Sequence, residues 1–134
     1  RKITAETIYK ILGLPKKEYV RNLFSAIAVN ERARAYSLVS EMIKDGYDMA
    51  YLAKTLLRYL RNSLLLKTDM SLEQVLLEEE TSEDIEFLKS CLVSFSQERL
   101  NAGIRTFLAT QDLIKKSPIP QLPLEMAVYE ITKS

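Results

Sequence analysis

The chain has 134 residues, of which 47% are hydrophobic and 28% charged, enough to bury about two thirds of its unfolded surface in one domain and too apolar for a disordered segment. Nineteen basic and eighteen acidic residues leave a net charge of +1, so no global field advertises a nucleic-acid or anionic-membrane partner. One cysteine and no histidine exclude an internal disulfide, zinc-finger frameworks, serine or cysteine triads and the usual metal sites, and fit a reducing cytosol.

Apolar residues recur at three- and four-residue spacing almost throughout, and strand-like alternation is absent. The first predicted helix runs from Ala5 to Leu12, with Thr4 as its cap and Gly13 and Pro15 at its end. A second covers Lys17 to Val29 and sets Tyr19, Val20, Leu23, Phe24 and Ile27 on one face. Asn30 is the expected cap of the third, which carries Ala35, Leu38, Val39, Met42 and Ile43 and stops at Gly46.

Asp48 should cap the fourth, Met49 to Lys67. Its leucines at 52, 56, 57, 60 and 64 form a sector wide enough to meet several neighbours, which predicts a central position. Ser71 to Gln74 reads as a capping box for a short segment reaching Glu80. Thr81 or Ser82 then starts a helix with Ile85, Leu88, Leu92 and Phe95 inside.

Ser96 is the expected cap of a long helix to Lys116 that buries Leu100, Ile104, Phe107, Leu108 and Ile114; the alternative is one helix passing through Ser96 and bending at Gly103. A last helix, Pro123 to Thr132, takes a proline in its first turn and buries Leu124, Ala127, Val128 and Ile131. The expected fold is all-α, a compact bundle of about six to eight helices over residues 1–134. The start at Arg1 in place of Met suggests a fragment of a longer chain. The longest apolar runs are far too short to span a membrane.

Three constellations bear on function. Lys54, Arg58 and Arg61 line one edge of the fourth helix, a spacing suited to tracking phosphates, although a solvated flank has the same pattern. The acidic run from Glu78 to Glu86 lacks the glycine and alternating oxygen ligands of a calcium loop and matches a helix start. Cys91 sits among Leu88, Leu92 and Phe95 with no base to activate it.

No pair of carboxylates shares an apolar helical face, so neither catalysis nor a cofactor or metal is expected. A surplus of outward apolar residues is more informative. Tyr51 and Leu65 on the fourth helix, Leu113 on the long one, and Met126 and Tyr129 on the last face away from their own stripes, as candidates for a subunit interface.

Three stretches carry a resemblance. They are Ile3-Thr4-Ala5-Glu6 with Ile8-Tyr9 and Leu12-Gly13-Leu14, Ala33 through Gly46-Tyr47-Asp48 to Leu60-Arg61-Asn62-Ser63-Leu64, and Lys116-Ser117-Pro118-Ile119-Pro120 with Leu124-Glu125-Met126-Ala127. In their order and spacing the chain resembles the third domain of the bacterial DNA polymerase III gamma/tau subunit over nearly its whole length. Pro120 and Pro123 depart from that family's usual residues.

The resemblance implies a collar, or oligomerisation, domain of the cytoplasmic clamp loader, holding gamma/tau subunits to one another and to delta and delta-prime. The ATP-binding modules would sit elsewhere in the polypeptide, consistent with the lack here of a GxxxxGK[ST] loop. The alternative is a helical nucleic-acid-binding domain using Lys54, Arg58 and Arg61.

Overall fold

A computed structural model describes residues 15–132 together with Thr4, Thr7 and Leu12. Most of the first predicted helix, Ala5 to Leu12, therefore lies outside the described residues. Thr4 Oγ1 does accept the Thr7 N–H at 3.1 Å, as a cap would. Among the described residues every regular element is helical. They are α1 (Lys17–Ala28), α2 (Arg32–Lys44), α3 (Met49–Thr68), α4 (Glu73–Leu76), α5 (Ser82–Cys91), α6 (Gln97–Lys116) and α7 (Leu122–Ile131). Short 3-10 turns at Met70–Leu72 and Leu92–Ser94 lead into α4 and out of α5.

The stops and starts follow local chemistry. α1 and α2 both end in paired six-to-one and five-to-two hydrogen bonds around a residue of positive φ. At α1 that residue is Asn30 (φ 60), whose N–H goes to Ile27 while Glu31 N–H goes to Ala26. At α2 it is Gly46 (φ 82), with Tyr47 N–H on Met42. Asn30 thus closes α1 and does not cap α2, a correction. The asparagine tolerates the left-handed conformation and is used for that.

Asp48 caps α3 by accepting from Ala50 and Tyr51, and Thr81 and Ser96 cap α5 and α6 through Asp84 N and Arg99 N. The Ser71 capping box does not form. Asp69, two residues earlier, accepts the Ser71 N–H and starts the turn instead. Ser96 also settles the other alternative: the chain leaves the helix at Phe95, and α6 begins anew.

The central element is α3, as its wide sector predicts. It packs most extensively on α6 and also touches α1, α5 and both 3-10 turns. Gln97 donates to the Lys67 carbonyl, and Leu60 approaches Gly103, so α3 and α6 run antiparallel. The α7 helix returns along α6 and also meets α2. Phe24 anchors the middle of the core, with Tyr59 edge-on at 5.5 Å and Phe95 at 5.4 Å between ring centroids.

One stripe differs from expectation. Leu108 is 56% exposed, whereas the face of α6 that is buried runs through Leu100, Gly103, Phe107 and Thr110. Helical period, not hydrophobicity, chooses that face. Gly103 permits the approach of α7, and Thr110 satisfies its hydroxyl on the Thr106 carbonyl at 2.8 Å.

Polar groups tie the helix ends together. Arg99, at the start of α6, donates to Ile27 and Ala28 at the end of α1, to Ser94, and to Ile131 at the end of α7, at 2.6–3.1 Å. Its guanidinium also lies 4.6 Å from the Phe95 ring centroid. A cation placed on the carbonyl ends of two helices is favoured by both helix dipoles, and burial draws its pKa below the ordinary arginine value.

Asp84 is buried against α1. Burial alone would raise its carboxyl, but the hydrogen bond from Arg21 and the charge of Lys17 at 3.3 Å outweigh that and hold it below the ordinary aspartate value. The same burial, with the Asp84 charge nearby, pushes the Tyr59 hydroxyl up.

Candidate subunit-interface surface

The corner where α6 gives way to α7 carries the densest group of outward apolar side chains among the candidate residues. Lys115 and Lys116 end α6, Ser117 turns the chain with its hydroxyl on Ile119, and Leu122 opens α7 one residue before the predicted start. Inside α7, Leu124, Ala127, Val128 and Ile131 face the core. The opposite line, Leu122, Met126 and Tyr129, follows four- and three-residue spacing and faces outward.

Met126 is 54% exposed and Leu113 45%, and together with Leu122, Pro123, Ser117 and Lys116 they line an open groove of about 220 Å³. An apolar groove edged by one cation suits a protein surface better than a small polar ligand.

The five predicted residues are not all brought together. Leu113 and Met126 share the groove. Tyr129 lies one turn further along α7, 45% exposed, with the guanidinium of Arg32 4.3 Å from its ring centroid. Tyr51 is 38% exposed on the first turn of α3, and the antiparallel pairing of α3 with α6 sets that turn at the same end of the molecule as Leu113. Leu65 is half-buried against the core near the opposite end of α3, apart from the groove.

Leu122 and Ile119 are exposed companions that sequence reasoning missed. Leu122 was detectable from its spacing to Met126 and Tyr129. Ile119 lies in the turn, where no periodicity applies.

The basic edge of α3 is partly neutralised. Arg58 Nε stands 3.1 Å from Glu80 and Arg61 3.4 Å from Glu79, and Arg61 also donates to Asn62. Only Lys54 of the three has no carboxylate beside it among the described residues. The acidic run thus has two uses: Glu83 and Asp84 occupy the first turn of α5, and Glu79 and Glu80 hold the preceding turn against α3.

Burial pushes the Cys91 thiol up, away from the thiolate a nucleophile needs. Among the described residues no three His, Cys, Asp or Glu side chains cluster as a metal site. No described helix is long and apolar enough to cross a membrane.

Comparison with curated proteins and with solved structures yields no match. Residues 3–133 match the family model described as DNA polymerase III subunits gamma and tau domain III.

Proposed function

Because this chain belongs to the family of domain III of the DNA polymerase III gamma and tau subunits, we propose that it joins subunits of the bacterial clamp loader. In this reading it is one helical unit over residues 1–134, cut from a longer cytoplasmic polypeptide, with no catalytic activity and no cofactor of its own. It holds gamma/tau subunits to one another and to delta and delta-prime. ATP-binding modules elsewhere in the polypeptide then work against a fixed ring to load the sliding clamp in DNA replication.

One observation carries the assignment of a surface. The outward line of α7 and the end of α6 present Leu113, Leu122 and Met126 around a single groove, next to Tyr129. Burying such a patch in a partner returns roughly 25 cal/mol per Å² of apolar area. Tyr51, at the same end, extends the candidate face.

The nucleic-acid alternative loses support from the ion pairs of Arg58 and Arg61, since a phosphate would have to displace two carboxylates already in place. The two readings separate in one set of measurements. Light scattering of the full subunit, alone and with delta and delta-prime, should report assembly. Binding to DNA should be weak and little changed by neutralising Lys54, Arg58 and Arg61. Steeply salt-dependent DNA binding abolished by those three changes, with no subunit assembly, would reverse the choice.

A further inference from the structure

We propose that the outward face of α6 pairs with the same face of a second copy of this chain, antiparallel, about a two-fold axis between Leu108 and Ala109. The inference does not rest on the groove between α6 and α7. The fold covers α6 on the side of Leu100, Gly103, Phe107 and Thr110, and leaves the other side exposed along the 20 residues of the helix. That side is not simply polar. Leu108, at its middle, is 56% exposed, with Ala102 and Ala109 exposed beside it.

The charges on this face identify the occupant. From start to end, Glu98, Arg105, Asp112 and Lys116 stand out to solvent in the order negative, positive, negative, positive. Reversed, the order is positive, negative, positive, negative. An antiparallel copy therefore meets each charge with one of opposite sign, whereas a parallel copy in register sets like against like. Arg105 and Asp112 lie equally far from the centre at Leu108 and Ala109. The two-fold thus sets Arg105 opposite the partner's Asp112, and does so twice. Glu98 then comes within one turn of the partner's Lys116.

These charges are unused within the chain. Arg105 and Asp112 are about 10 Å apart along the axis, too far to pair with each other. None of the four takes part in an ion pair among the described residues. Arg21, Arg58 and Arg61, by contrast, are spent on Asp84, Glu80 and Glu79. The alanines at 102 and 109 let two helix axes approach to the roughly 8–10 Å of packed helices. One helix face about 30 Å long buries less than a stable dimer needs, so the pairing is weak and salt-dependent. A two-fold contact also closes on itself: it couples two copies and does not extend a ring.

The test follows the full subunit by sedimentation velocity over a range of concentrations, at low and high salt, with circular dichroism of each variant. Arg105→Glu and Asp112→Arg, each alone, bring like charges together twice and should weaken self-association by about five- to ten-fold at low salt. An equimolar mixture of the two variants, or both changes in one chain, restores opposite signs and should recover wild-type association to within about two-fold. Single variants that associate like the wild type, or a loss that neither the mixture nor the double change recovers, would overturn the proposal. Met126→Asp in parallel keeps the two contacts apart. If it disrupts assembly while the charge reversals do not, the groove stands and the α6 pairing falls. Charge-dependent pairing that persists in Met126→Asp upholds the pairing whatever the groove does.

Discussion

At the scale of single residues, the strongest organiser of this molecule is an arginine whose hydrogen-bond acceptors are all main chain. Arg99 gathers carbonyls from Ile27, Ala28, Ser94 and Ile131, so it joins the ends of α1 and α7 to the start of α6. Replacing it by methionine keeps the aliphatic stem and removes the donors, leaving four acceptors without their partner. Arg99→Met should lower the free energy of unfolding by about 2–3 kcal/mol, visible as a lower denaturant midpoint at unchanged slope. A loss under about 0.5 kcal/mol would mean that solvent replaces the guanidinium without penalty. Nothing in the sequence marks Arg99 out, because carbonyl acceptors have no residue signature. The same holds for Arg58 and Arg61, whose acidic partners lie about twenty positions away and meet them only once α3 and the turn before α5 pack.

At the scale of elements, the caps Asp48, Thr81 and Ser96 and the apolar stripes of α1, α3, α5 and α7 were readable from residue type and period. Less readable was the buried side of α6, because Gly103 and Thr110 occupy positions where a hydrophobicity pattern expects leucines. Gly103 is there for space. A Cβ at that position would stand 2.4 Å from Ile131 Cδ1 and 3.2 Å from its Cγ1. Alanine is worth about 1 kcal/mol more than glycine inside a helix, but overpacking costs about 1–3 kcal/mol. Ile131 is buried between α6 and α7 and has little room to turn aside. Gly103→Ala should therefore destabilise the wild type. In an Ile131→Val background, which lacks the clashing methyl, the same change should be neutral or stabilising. Equal effects in both backgrounds, from denaturation of the four proteins, would refute the close-packing explanation.

At the scale of the whole molecule, the same economy that builds the core exposes the surface. With α3 covered on several sides by α1, α5 and α6, and α7 lying against α6 and α2, the end of α6 and the outer line of α7 remain open. The sequence marked Leu113, Met126 and Tyr129 as outward, and the fold sets two of them on one groove and the third a turn away. It marked Leu65 on the same grounds, and the fold sets that residue half-buried toward the other end of α3, away from the groove. The most direct test of the account is the association of the full subunit carrying Leu113→Asp with Met126→Asp. Both side chains are solvent-facing, so the thermal midpoint and helical content should stay close to those of the wild type. Two charges in the groove should weaken assembly with sibling subunits by at least about ten-fold in sedimentation velocity. A folded double variant that assembles as tightly as the wild type would contradict the claim that this corner grips its neighbours.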